Sequence, residues 1–294
     1  MLTPPPRLLV PSKMCSKTGM FNSMKKTAVS LMFLAGCLHG VAVHSKIYPI
    51  IYSLSYVVHA SSSTAQVRDK PTVFSVLFSA VAIAFVLGSA LSFLSLTFLS
   101  YNMYGDDYLR EGLLYHFSRV DHRHNYSMFW YFIYLARYAF EVEGDLSAGT
   151  EIFVLSKLFF LPQAILLLYT SVKISPKDLG FCMFLQTFLF VALNKVITGQ
   201  YFVWYLCLMP LFSHRIQWSR WEMRSSLLLL LLTVAVWLSI AFLLEMKGRS
   251  VHLWLFFASV SFFAANCIFF SSIIESYSSC SSSPTESAGK KKLQ

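Results

Sequence analysis

The chain is predicted to be an all-α polytopic membrane protein, and three observations predict it. Charged side chains make up only 13% of its residues and hydrophobic ones 56%, whereas a soluble domain carries about 25% charged residues. Residues 72–100, 225–244 and 250–274 hold no Asp, Glu, Lys or Arg, and each run meets the roughly 20 apolar residues that a hydrocarbon core demands. The basic residues sit in short clusters between apolar runs. That is the pattern of cytosolic loops, so the net charge of +10 does not point to nucleic acid.

Taken in order, residues 1–26 are rich in Pro, Ser and Lys and lack the apolar core of a signal peptide. They read as a cytosolic N-terminal segment, and the apolar stretch that starts at Thr27 behind Lys25 and Lys26 reads as an uncleaved anchor. Residues 27–60 are interrupted by His44-Ser45-Lys46 and Pro49. One straight helix of that length overshoots a bilayer at ~1.5 Å per residue, while two legs of ~25 Å each just span it. A proline and an ionisable group mark the break, so the prediction is a hairpin with its apex at residues 44–49, returning to a loop with Arg68 and Lys70.

Further apolar runs follow at 72–100, 152–172, 179–194, 196–213, 225–244 and 252–274. Lys157 within them reads as a snorkelling side chain. With the hairpin this makes about eight crossings of the length a bilayer needs, which leaves both termini on one side. Of the 24 Lys and Arg, 15 fall on that side, which assigns it to the cytosol. The 275–294 tail is Ser-rich and ends Lys291-Lys292-Leu293-Gln294. Such a dilysine ending resembles the signal that retrieves membrane proteins to the endoplasmic reticulum, and that signal is read only from the cytosol. The six cysteines (Cys15, Cys37, Cys182, Cys207, Cys267 and Cys280) contain no CxxC pair. Most lie in or beside apolar runs as small hydrophobes, so neither a disulfide framework nor a metal site is expected.

One large luminal connection remains, residues 101–150. It holds seven of the 14 acidic residues, an unusual concentration of charge for this chain. Seven of the twelve residues at 129–140 are aromatic, which predicts an interfacial helix at headgroup level. A polar cluster held against the membrane face suits a substrate with a phosphate and a lipid tail. Arg119 and Arg123 are suited to bidentate phosphate contacts, and Asp121, His116 or His124 to orienting a hydroxyl or moving a proton. Asn125-Tyr126-Ser127 is a glycosylation sequon, expected to go unused so close to the membrane. Two more polar groups lie near membrane depth. One is Asn194, Lys195 and Gln200 with Tyr201, Trp204 and Tyr205; the other is His44 with Lys46. Ionisable residues at such depth are functional candidates.

These places also carry a resemblance. His44-Ser45-Lys46-Ile47-Tyr48-Pro49, the run from Glu111 through Tyr115-His116, Arg119, Asp121 and Arg123-His124-Asn125 to Ser127, Phe160-Leu161-Pro162-Gln163, and Asn194-Lys195 through Gln200-Tyr201 and Trp204-Tyr205 to Pro210 occur in one order. Together they resemble the PIG-M family, the catalytic subunits of GPI mannosyltransferase I, over residues 25–274. The resemblance implies a GT-C-like helical bundle in the endoplasmic reticulum membrane. It implies transfer of the first mannose, in α-1,4 linkage, from dolichol-phosphate-mannose to glucosaminyl-phosphatidylinositol, without a further cofactor. It also implies a small single-span stabilising subunit of the PIG-X kind. Arg119, Arg123 and Lys195 then become phosphate contacts, and the aromatic residues from Tyr201 to Tyr205 line a path for lipid or sugar.

The chain departs from the family in one respect. The family's Asp-x-Asp motif is absent, since Gly105-Asp106-Asp107 lacks its spacing. The resemblance starts about midway along the family chain, and residues 1–24 look unrelated. The expectation is therefore an N-terminally truncated polypeptide without transferase activity alone. Two other readings stand beside the transferase: a non-catalytic isoform or scaffold subunit, and a lipid or solute transporter built on broken helices.

Overall fold

The computed structural model describes residues 14–64, 73–115, 124–142, 144 and 146–281, with side chains described throughout these except at 14–25, 64, 73, 146–153, 155–159 and 278–281. Ten helices carry the described residues: α1 (Met14–Ser45), α2 (Ser53–Thr64), α3 (Val73–Leu77), α4 (Ala80–Tyr104), α5 (Trp130–Val142), α6 (Leu146–Lys173), α7 (Leu179–Ala192), α8 (Gln200–Leu206), α9 (Trp221–Glu245) and α10 (His252–Ser281). Short 3-10 turns at Tyr48–Tyr52, Met209–Leu211 and Ser213–Arg215 and a π-helical segment at Tyr108–Leu114 complete them, with no strand among the described residues. Four stretches are long and apolar enough to cross a membrane: Lys26–Ser45, Ala80–Tyr104, Trp221–Glu245 and His252–Tyr277. Their outward faces leave Phe98, Trp254, Leu38 and Phe242 more than half exposed. Water would not tolerate so continuous an apolar surface, and lipid does. The protein is an all-α polytopic membrane protein.

The chain divides into two compact units, residues 1–110 and 111–294. In the first, α1 and α4 run parallel, because Gly36 meets Phe85 and Gly40 meets Ser89 at a constant offset. A Cβ on Gly36 would lie 2.2 Å from the Phe85 carbonyl oxygen, and one on Gly88 would lie 2.3 Å from that of Phe33. Only glycine permits the backbones this close. Lipid tails match side chains in polarity, so close packing rather than release of water holds such a pair together.

A parallel pair requires a return leg, and the 3-10 turn with Pro49 followed by α2 supplies one. At about 2 Å per 3-10 residue and 1.5 Å per α residue the leg covers about 28 Å. His39 braces its upper part: Nδ1 lies 3.0 Å from Ser89 Oγ and Nε2 lies 3.2 Å from the Pro49 carbonyl. At its lower part Ser61 donates to the Val76 carbonyl and lies 2.8 Å from Ser79 Oγ. Ser79 in turn caps α4 by accepting from Ala82 N–H. The chain thus breaks at residues 44–49 as the sequence predicts.

In the second unit α9 and α10 form an antiparallel hairpin across a tight turn with Gly248 at φ +60°. Against it pack α5, α7 and α8 through an aromatic core that includes Phe181, Phe184, Phe188, Phe212, Phe262 and Phe269. Polar side chains tie α6 to α7. Gln186, fully buried, donates to Ser171 Oγ at 2.7 Å, and Gln163 donates to the Phe190 carbonyl at 2.7 Å. The second bond satisfies one of the last-turn carbonyls that α7 cannot satisfy itself.

Two stretches differ from expectation. Residues 196–213 are not one apolar crossing but a seven-residue helix and two 3-10 turns. Pro210 in the first 3-10 turn supplies no amide donor to continue a ladder. Residues 101–150, read as a loop, contain the end of α4, the π-helical segment, all of α5 and the start of α6.

Candidate functional site

Two polar clusters of the second unit lie at the two ends of the α9–α10 hairpin. At the end near His252, an Asn side chain joins two distant stretches of backbone. Asn125 is buried at 2% exposure. Its Nδ2 donates to the Lys195 carbonyl at 2.9 Å, and its Oδ1 accepts from the backbone amides of Ser127 and Ile197, each at 2.9 Å. Tyr126 N–H donates to the Ile197 carbonyl at 2.9 Å. Ser127 then accepts from Phe129 N–H at 3.1 Å and starts α5. A non-helical stretch in apolar surroundings must find partners for its amides, and Asn125 supplies them to residues 195–197.

Below this clamp lies an aromatic floor. Tyr126 stacks on Trp237 at 3.8 Å and meets Phe202 edge-on at 5.4 Å. Burial pushes the Tyr126 phenol up from its ordinary value, so it stays protonated. Ser259 Oγ accepts from both Trp130 Nε1 at 3.0 Å and Trp237 Nε1 at 2.9 Å, and donates to the Leu255 carbonyl at 3.1 Å. One donor and two acceptors are all that a hydroxyl has, so this one is saturated. It ties α5 to both legs of the hairpin.

Lys195 and His124 flank the clamp, and further basic residues stand on and beside the α9–α10 turn. Lys195 is half-buried, and desolvation holds its ammonium below the ordinary lysine range. His124, in the left-handed region at φ +52°, places Nδ1 3.3 Å from Glu245 Oε1. Lys247 and Arg249 stand exposed on the hairpin turn, and His252 stacks on Tyr134 at 5.1 Å. Asn194 Oδ1 accepts from Val196 N–H at 3.3 Å, which folds the loop over itself. Such a rim can hold an anion against an apolar floor. Among the described residues no three His, Cys, Asp or Glu side chains gather to hold a metal ion.

The opposite end of the unit, about 38 Å along α10 at 1.5 Å per residue, is held by a second knot. Asp178 caps α7 by accepting from Phe181 N–H at 3.0 Å, pairs with Arg215, and accepts from Tyr277 OH at 2.8 Å. Tyr277 lies flat on Phe181 at 3.8 Å, and Gln217 N–H donates to Ser276 Oγ at 2.7 Å.

Of the residues singled out from sequence, the structure brings His124, Asn125, Asn194 and Lys195 to one place, with Tyr201 buried against Trp204 at 4.3 Å on the helix that follows and Gln200 exposed at its start. His44 and Lys46 belong to the first unit. There His44 Nε2 lies 2.9 Å from the Tyr108 hydroxyl at the start of the π-helical segment, and Lys46 is exposed. His116, Arg119, Asp121 and Arg123 lie outside the described residues, as do Lys291 and Lys292 and the side chain of Lys157.

Among the participants not read from sequence are Glu245, Trp237, Ser259 and His252. They stand in or beside ordinary apolar runs, and only their approach to residues more than a hundred positions earlier gives them a role. His39 in the first unit was also missed, although an ionisable group inside an apolar run is a signal in itself.

Comparison with known proteins matches these features to one group. The family model "Mannosyltransferase (PIG-M)" matches residues 14–274, and so includes both the clamp and the glycine-packed pair. The chain is 39% identical over 243 residues to the GPI alpha-1,4-mannosyltransferase I catalytic subunit of Danio rerio, covering 83% of this chain and 58% of that protein. It is 36% identical over 244 residues to GPI mannosyltransferase 1 of Dictyostelium discoideum, with 79% and 55% covered. With the Saccharomyces cerevisiae protein of the same name it shares 34% over 240 residues, with 79% and 56% covered. No solved structure matches. The chain spans about half the length of the relatives it matches. A match that runs through nearly all of both units leaves one assignment: the chain belongs to the PIG-M mannosyltransferase family.

Proposed function

We propose that this chain forms the lipid-phosphate-receiving part of a GPI-anchor mannosyltransferase in the endoplasmic reticulum membrane. The observation that carries the proposal is the basic rim around the Asn125 clamp, with half-buried Lys195 above an aromatic floor, in a chain of this family. Both the donor, dolichol-phosphate-mannose, and the acceptor, glucosaminyl-phosphatidylinositol, present a phosphate at the membrane face. In the reaction a glucosamine hydroxyl attacks C1 of the mannose, the C1–O bond to phosphate breaks, and dolichyl phosphate leaves with the negative charge. Lys195 together with Arg119 and Arg123 would hold phosphate oxygens, while His124, His116 or Asp121 would take the hydroxyl proton. The clamp end then faces the lumen. Lys291 and Lys292 act as the retrieval signal, and a small single-span subunit of the PIG-X kind is the expected partner.

The family's Asp-x-Asp carboxylates are not among this chain's residues, so the chain alone is not expected to transfer mannose. The test is complementation of cells lacking the first GPI mannosyltransferase. Joined to the upstream half of the Danio rerio relative, the chain should restore surface GPI proteins, whereas the chain alone should not. Lys195→Ala or Arg123→Ala in the chimaera should cut transfer about 10- to 100-fold, the worth of one charge-assisted hydrogen bond. Undiminished transfer in both variants would overturn the site. Restoration by the chain alone would overturn its dependence on the upstream half.

A further inference from the structure

We infer that Asn125 is a positioning residue that sets the depth of Lys195, and is neither a glycan acceptor nor a substrate contact. This rests on the reading of Lys195 as a phosphate contact. The amide is 2% exposed, and both of its ends are engaged by backbone: Nδ2 by the Lys195 carbonyl, Oδ1 by the amides of Ser127 and Ile197. A glycan on Nδ2 would take one of its two N–H groups and would need a path to solvent that a side chain this buried lacks. A substrate hydroxyl would have to enter the same buried space, and could donate to Oδ1 only by displacing a backbone amide, at about 1–3 kcal/mol for each buried group left unpaired.

The consequence of the bonds falls on Lys195. Its carbonyl is tied to Asn125 and the amide two residues on is tied to the same side chain. The residue between, Val196, is buried and donates its own amide to Asn194 Oδ1 at 3.3 Å. The two bonds to Asn125 and the buried Val196 side chain anchor the backbone directly after the Lys195 Cα and hold it back from water. The ammonium is therefore held half-buried at the rim, and the partner that holds it there lies 70 residues earlier in the chain.

The experiment uses the purified full chain in lipid nanodiscs, with acylation of Lys195 by an amine-reactive ester followed by mass spectrometry and exposed Lys247 as internal reference. With the label applied at a pH of about 11, where both amines are largely free and the rate reports access alone, Asn125→Ala should raise the Lys195 rate relative to Lys247 several-fold, because the released loop lifts the amine into water. Asn125→Asp keeps oxygen acceptors for the amides of Ser127 and Ile197 but turns an acceptor instead of a donor toward the Lys195 carbonyl, so its Lys195 rate should also rise above the parent's. An unchanged ratio in both variants, with the thermal unfolding midpoint within a few degrees of the parent, overturns the inference. So does a glycosidase-sensitive glycan on Asn125 in cells. A separate arm adds dolichyl phosphate, which should protect Lys195 in the parent chain. If Asn125→Ala speeds labelling but dolichyl phosphate protects nothing, the positioning role stands and the phosphate reading of Lys195 falls.

Discussion

Lys195 shows how one side chain can be tuned by the backbone that carries it. Burial lowers its affinity for a proton below the ordinary value of 10.5, so two opposite pH dependences follow. For folding, the cost of burying the charge is present while the amine is protonated, and is relieved as pH rises through the lowered value toward the ordinary one. For anion binding the sign reverses: the proposed phosphate contact would be lost as the ammonium deprotonates. Binding of dolichyl phosphate should therefore weaken on the alkaline side sooner than an ordinary lysine would allow. Lys195→Arg should move that limb upward, because a guanidinium keeps its proton throughout. Titrating binding between neutral and strongly alkaline pH checks this, and superimposable limbs for parent and variant would count against it. Lys195 was legible in the sequence because an ionisable group between two short apolar runs is conspicuous. The clamp was not, since the Asn125 sequon advertises a surface role while its neighbours in space come from a stretch 70 positions away.

At the level of elements, the α1–α4 pair carries the strongest steric constraint. A methyl group on Gly36 or Gly88 would sit 2.2–2.3 Å from a backbone oxygen, and backbone cannot swing aside as a side chain can. Gly88→Ala should therefore separate the helices and lower stability by about 1–3 kcal/mol, the range for an overpacked interface. Thermal unfolding of the chain in detergent measures it. Gly199→Ala, whose Cβ meets nothing within 4 Å and whose φ is −55°, adds the same methyl group without overlap or backbone strain and should cost under about 1 kcal/mol. A loss no larger for Gly88→Ala would refute the close-packing account. The break at residues 44–49 was readable because a proline and a charge interrupt an apolar run. The breakdown of 196–213 into short turns was not read, since its composition is as apolar as that of a crossing. What fixes its shape is Pro210 together with the backbone demands that Asn125 meets from another segment.

At the scale of the whole chain, the polar connections of the second unit sort into two knots without any reference to charge counting. The loop at 193–199 and the end of α9 at Glu245 meet residues 124–127 at one end, while the loops at 174–178 and 212–220 meet Ser276 and Tyr277 at the other. The positive-inside count assigns the same loops to the same pairs of sides, from an independent property of the sequence. A single cysteine at Lys177 or Arg249, in a background lacking the native cysteines, should react with an impermeant thiol reagent from opposite sides of sealed microsomes. Labelling of both from one side would refute the sorting. The number of crossings is less legible than their direction, because short apolar helices such as α7 fall below the length that marks a span by itself.

The saturated hydroxyl of Ser259 has an optical consequence. Two of the six tryptophans share one oxygen atom, and one of them also lies flat against a tyrosine. Indole emission responds to what its N–H meets, so a shift of α5 against the hairpin would change the colour of both rings together. The floor beneath the basic rim thus contains its own reporter of movement between α5 and the hairpin.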